Sequence, residues 1–149
     1  MKLLTKYHGE VEFDQSEIIT FAKGIPGFPD ETQFIMFPLA QDTNLLIMQS
    51  VQTSQLAFVI VSPFDFYKEY DFILEQSVVD QLELESPEQA EVYAILSIKD
   101  PFELTTANLQ APVIINKTTL LAKQVILNHP SYKTKHFIIP KKSKPIKER

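Results

Sequence analysis

"LLIMQSVQTSQLAFVIV", residues 45–61, decides the fold class. Two apolar runs, 45–51 and 56–61, are rich in Ile, Val, Leu and Phe and are separated by the short polar link "QTSQ". β-Branched and aromatic runs of this length, joined by a few turn-forming residues, read as a β-hairpin. Pro63 ends the second run. Working outward, the same kind of run recurs on both sides: "GEVEF", "IITFA" and "QFIMF" before it, "EVYAILSI", "PVIIN" and "AKQVIL" after it. "YDFILE" (70–75) reads as a further strand, and "KTTLL" reads as the link of a second hairpin. "EVYAILSI" is apolar enough for a strand covered on both faces.

Helical signals are weak. "QSVVDQLEL" (76–84) spaces Val78, Val79 and Leu82 for two turns, and "SPEQ" (86–89) has Ser86 to cap, Pro87 at the first helical position and Gln89 to close a capping box. About ten short strands, with one or two helical turns, predict an all-β fold, an antiparallel barrel or sandwich, and of the two a small, partly open antiparallel β-barrel is the expectation. At 149 residues the chain makes one core domain, 1–140, followed by a tail, 141–149. There are eleven phenylalanines, no tryptophan and no cysteine, so disulfide and thiolate chemistry are excluded. No run approaches the about 20 apolar residues of a membrane-spanning helix, and no signal-peptide pattern opens the chain, so a cytoplasmic location is expected.

Charge is unevenly placed. Residues 133–149 hold seven basic side chains against Glu148; the other residues hold seven basic and 18 acidic ones. The stretch 65–103 concentrates eleven of those acids beside only Lys68 and Lys99. Such a body repels a phosphate backbone and attracts a cationic partner.

Two of the chain's three glycines sit in "FAKGIPGFPD" (21–30). A phosphate cradle needs converging backbone N–H groups and a helix after the loop. Here Pro29 removes a donor, while Asp30 and Glu31 repel an anion. The turn reading fits each residue instead. Pro26 sets φ at about −65°, and Gly27 supplies the positive φ of a type II turn. Ile25 and Phe28 flank it as apolar anchors, and Gly24 relaxes the strand exit or admits another backbone. His8, His129 and His136 are too scattered for a sequence-local metal site, and no nucleophile motif is present, so no catalytic residue, metal or cofactor is expected.

The punctuation of the chain matches a family. "GIPGFPDETQFIMFPL", "LLIMQSV", "LAFVIVSPF", "EYDFIL", "TTANLQAPVIIN" and "KQVILNHPSY" occur in that order. In these segments, over roughly residues 3–137, the chain resembles the bacterial flagellar assembly factor family, FliW. The resemblance implies a regulator rather than a catalyst: a small cytoplasmic β-barrel that binds the RNA-binding translational repressor CsrA and, in a mutually exclusive switch, flagellin, coupling flagellin translation to its export. It also gives the acidic body a role, since carboxylates placed beside an RNA track repel phosphates. The basic tail lies outside the pattern.

An interface needs aromatic or apolar anchors inside a polar rim. "AFVIVSPFDFYKEYDF" (57–72) offers both, so Phe64, Tyr67, Glu69, Tyr70 and Asp71 are the candidate partner-binding residues, with Tyr67 and Tyr70 as half-wet anchors. Asn108, in the rival patch "TANLQAP", is a candidate contact that also reads as a turn residue. A monomer that binds neither nucleic acid nor membrane is expected. A small-barrel nucleic-acid-binding module, using strand aromatics and the basic tail, is the alternative; a small-molecule barrel or hydrolase is another.

Overall fold

The structure, a computed structural model, describes residues 1–139; the basic tail 141–149 and the domain limit at 140 lie outside the described residues. In chain order the strands are β1 (Lys2–Thr5), β2 (Gly9–Glu12), β3 (Ile19–Phe21), β4 (Gln33–Pro38), β5 (Leu46–Ser50) and β6 (Ala57–Val61). After the helix α1 (Gln76–Gln81) come β7 (Ala90–Ser97), β8 (Thr106–Ala107), β9 (Val113–Asn116), β10 (Leu121–Gln124) and β11 (His136–Phe137). β1 and β2 form a separate hairpin. The expected all-β barrel is present: β7, β6, β5, β4, β3, β10 and β9 are neighbours in that order. The seam, expected to be partly open, is closed by β9 pairing back onto β7 from Ala90↔Asn116 to Tyr93↔Val113. All the ring's pairings are antiparallel except β3 with β10.

The hairpin that decided the fold class is β5–β6, with Leu46↔Ile60 and Gln49↔Ala57 in register. Its apolar runs are continuous because both faces are covered. One set of side chains, among them Phe21, Phe34, Met48, Ile60 and Ile115, fills the barrel interior, to which every strand of the ring contributes. The alternate set, among them Ile47, Val59, Val61, Ala94 and Ile114, faces outward into a second apolar cluster. That outer cluster lies on the contiguous strands β5, β6, β7 and β9, and is roofed by α1 and the segments around 66–74 and 125–139. Fully burying each such side chain contributes roughly 1.5–3 kcal/mol. The "QS" closing β5 is polar yet buried: Gln49 accepts the Lys6 N–H and donates to the carbonyls of Ser54 and Leu56, and Ser50 Oγ accepts the N–H groups of Gln52 and Thr53. These bonds fix the hairpin turn from inside.

The loop at 24–28 is the turn expected. Phe28 N–H donates to the Ile25 carbonyl at 2.7 Å, and Gly27 has φ +88°. Ile25 is buried, but Phe28 is 42% exposed, its ring edge-on to Phe58 at 6.0 Å; it seals the rim rather than anchoring in the core. "YDFILE" is not a strand. Its burial alternates as a strand's does, with Phe72 and Leu74 turned to the outer cluster, but no neighbouring strand pairs with it. The helical turns are found at Gln76–Gln81 and Pro87–Gln89. Gln89 caps by accepting the N–H of Glu85 rather than that of Ser86.

β8 and β9 lie along the same edge of β7 and are one interrupted strand. Leu96 and Ser97 pair with Ala107 and Thr106, whereas Tyr93 pairs with Val113, so Asn108 to Pro112 bulge out opposite Ala94 and Ile95. Asn108 closes that bulge: its Oδ1 accepts the N–H groups of Gln110 and Ala111 at 3.1 and 3.0 Å. Asn116, at the end of β9, donates to the Leu82 carbonyl at 2.8 Å and thereby ties the barrel to the end of α1.

Candidate docking face

Residues 62–89 connect β6 to β7 across the outer apolar cluster, and all the candidate residues except Asn108, which sits in the bulge between β8 and β9, lie on this connection. Long connections carried by a rigid sheet are where binding residues concentrate. A 3-10 turn at Pro63–Asp65 starts it, with Asp65 held by the Asn44 side-chain amide.

Tyr70 is the hub. Its ring meets Phe64 at 5.9 Å, Phe72 at 5.4 Å and Tyr132 at 4.6 Å, and its hydroxyl donates to the Leu109 carbonyl at 2.7 Å. That bond joins the 64–72 segment to the Asn108 bulge, so the two patches singled out in the sequence are neighbours. At 4% exposure Tyr70 is not the half-wet residue expected. It supports the face from beneath, and burial together with the nearby Tyr132 phenol pushes its hydroxyl pKa up. Tyr67 is half-buried; it donates to the Phe137 carbonyl and packs edge-on to His136 at 5.6 Å. Burial raises its pKa as well. The His136 imidazole is held below its usual value, first by burial and then by Lys133, whose N–H it accepts at 2.8 Å.

What the face presents is therefore Phe64, 41% exposed, with the exposed carboxylates of Glu69 and Asp71. Asn108 is half-buried and occupied within its bulge. Sequence reasoning missed Tyr132, whose hydroxyl accepts the Asp71 N–H at 2.9 Å and whose ring is stacked by His129 at 4.3 Å. It missed Ile73 too, which is 93% exposed. The strand reading of "YDFILE" held the signal for Ile73: in an extended segment with Phe72 and Leu74 turned inward, the residue between them must point out. Tyr132 gave no signal, because its contacts with Tyr70 and Asp71 are made across the fold.

Grooves flank the segment. One, about 640 Å³, runs between Phe64, Phe72 and Leu74 and the wall of Val79, Leu84 and Pro87. Another, about 490 Å³, runs between Asp71–Glu75 and residues 125–130. The eleven acids of 65–103 are all exposed except the half-buried Glu91, and of these Asp71, Glu75 and Glu85 line the two grooves. Among the described residues no group of three or more His, Asp or Glu side chains is placed to hold a metal. No described helix is long and apolar enough to cross a membrane. An apolar floor with a carboxylate rim suits recognition of a cationic protein surface.

The hub makes a prediction. Tyr70→Phe leaves the ring in place but strands the Leu109 carbonyl, a loss of about 1–3 kcal/mol. A lower urea midpoint with unchanged partner binding per folded molecule is expected. An unchanged midpoint with binding lost would show that the hydroxyl is itself contact surface.

Comparison with known proteins gives a consistent picture. The family model described as "FliW protein" matches residues 2–138. The chain is 49% identical over 138 residues to the flagellar assembly factor FliW of Bacillus velezensis, covering 93% of this chain and 96% of that protein. To the flagellar assembly factor FliW of Bacillus subtilis it is 46% identical over 136 residues, with 91% and 95% covered. A crystal structure of the flagellar assembly factor FliW superposes with a TM-score of 0.90 at 43% identity, covering 95% of this chain and 99% of that one.

Proposed function

The chain belongs to the FliW family of flagellar assembly factors, and we propose that it works as a cytoplasmic protein-binding regulator rather than an enzyme. In this reading the free monomer captures the RNA-binding repressor CsrA and antagonises it, and flagellin competes for the same protein, so that flagellin synthesis follows flagellin export. The observation that carries the reading is the docking face: carboxylates at Asp65, Glu69, Asp71 and Glu75 stand exposed around an aromatic floor, on the connection that crosses the outer apolar cluster. Carboxylates brought beside an RNA-binding surface oppose phosphate without imitating RNA. The same charge weighs against the alternative of a nucleic-acid module.

Stopped-flow association tests it. The rate with CsrA is expected to fall as salt rises from low to physiological, since steering of this kind accelerates encounter by about 10 to 1000-fold and is screened by ions. Flagellin added to the preformed complex is expected to displace CsrA. A flat salt profile would reduce the acidic stretch to a solubility feature, and a CsrA complex indifferent to flagellin would end the switch.

A further inference from the structure

We infer that residues 71–75, Asp-Phe-Ile-Leu-Glu, are a preformed edge for β-strand addition, and that the strand they accept is cationic, with basic side chains on either side of an apolar one. The segment runs without turn or bend, and its burial alternates: Asp71, Ile73 and Glu75 are exposed, Phe72 and Leu74 are half-buried against the outer cluster. It is pinned at both ends. The Asp71 N–H donates to the Tyr132 hydroxyl at 2.9 Å, and the Glu75 carbonyl accepts the N–H groups of Val78 and Val79 at the start of α1. Between those pins, no hydrogen bond among the described residues uses the N–H or C=O of Phe72, Ile73 or Leu74. A strand-like segment held straight with open backbone groups offers an incoming chain its ladder at little ordering cost. The grooves on its two sides have room for that chain's side chains.

Charge chooses the occupant. The outward face reads Asp71, Ile73, Glu75, with Glu85 on the groove wall. A second copy paired antiparallel about Ile73 would set Asp71 of one chain opposite Glu75 of the other, and like charges facing each other destabilise a ladder. A strand carrying Lys or Arg two residues either side of an apolar residue places opposite charges on both carboxylates and covers Ile73.

The inference rests on the reading that this face is where a protein partner docks, and names how. The probe is the peptide acetyl-Lys-Thr-Ile-Val-Lys-amide, titrated into the isotope-labelled full chain by NMR with hydrogen exchange read at each amide. Saturable binding is expected, with exchange slowed about tenfold or more among Phe72, Ile73 and Leu74. The same peptide N-methylated at its central amide should bind about tenfold more weakly, and one with Glu in place of both lysines should not bind. Ile73→Pro, which removes one edge donor from an exposed position, should lose the peptide at an unchanged urea midpoint; if that variant does not fold, the N-methyl arm decides. No binding at millimolar peptide, equal binding of the N-methylated peptide, protection elsewhere, or self-association through 71–75 overturns strand addition. Calorimetry with CsrA and flagellin on the same sample separates the failures. CsrA bound while the peptide is ignored removes strand addition alone; the peptide taken as expected while both proteins are ignored removes the partner reading alone.

Discussion

Gly24→Ala is expected to be one of the most damaging single-methyl changes in this protein, lowering stability by about 2–5 kcal/mol. Gly24 has φ +71°, where a Cβ meets its own backbone, and a methyl there would stand 2.4 Å from the Pro29 carbonyl oxygen and 2.6 Å from that of Phe28. Both obstacles are backbone, so neither can swing aside. The turn that brings them close is itself fixed by the paired Ile25 and Phe28, and Ile25 is anchored in the barrel interior. Gly27 is the built-in control. Its φ is +88°, but nothing lies within 4 Å of the methyl an alanine would add, so Gly27→Ala should cost only the conformational strain, about 1–2 kcal/mol. Urea midpoints of the two variants measure the contrast. Equal midpoints would mean that the loop opens freely and that close backbone approach is not why Gly24 is required. Neither change touches the docking face, so binding per folded molecule should survive both.

These two glycines show how far the sequence could be read. Gly27 was legible because a Pro-Gly pair between apolar residues is local turn chemistry. Gly24 was legible only as a choice, since the backbone it must admit was not visible before folding. The strands were legible where their composition was extreme: β5, β6, β7 and β9 have continuous apolar runs because the interior and the outer cluster claim alternate residues. "YDFILE" has the right period but no ladder, and period reports which side is buried, not who pairs. Tyr70 was misplaced for a related reason. Its hydroxyl suggested a wet site, but its acceptor is the Leu109 carbonyl within a bulge, and the bulge opens after Asn108, whose N–H still reaches the Ile95 carbonyl of β7 at 2.9 Å, and closes where Val113 pairs with Tyr93. Its polar demand is met by a backbone group 39 residues away in the chain. The acidic rim was fully legible, since exposed carboxylates need no partner to stay where the sequence puts them.

Asp71→Lys is expected to weaken CsrA binding about ten- to hundredfold while changing flagellin binding much less. The residue is suited to the test because the fold does not use its carboxylate. Its backbone N–H is held by Tyr132, the side chain is exposed, and no hydrogen bond or ion pair among the described residues engages its oxygens. Stability should therefore be nearly unaffected, and a change in binding reports the interface. The size follows from the charge. Close charge pairs across protein interfaces couple by about 1.5–7 kcal/mol, and each 1.4 kcal/mol is tenfold in Kd. In the proposed reading the RNA-binding partner presents cations to this rim, whereas flagellin need not be recognised through charge. The selectivity also bears on how the proposed switch would operate. An interface of ordinary size covers about 800 Å² on each partner, so two large proteins that both dock on the single connection between β6 and β7 crowd each other. A conformational switch is the less economical alternative, because a closed barrel packed on both faces of β5, β6, β7 and β9 deforms little. Titrating each partner against the variant by calorimetry reads both halves of the expectation. Equal loss for both partners, or none for either, takes Asp71 out of the site. A stable complex of all three proteins in gel filtration removes competition itself, whatever Asp71 does.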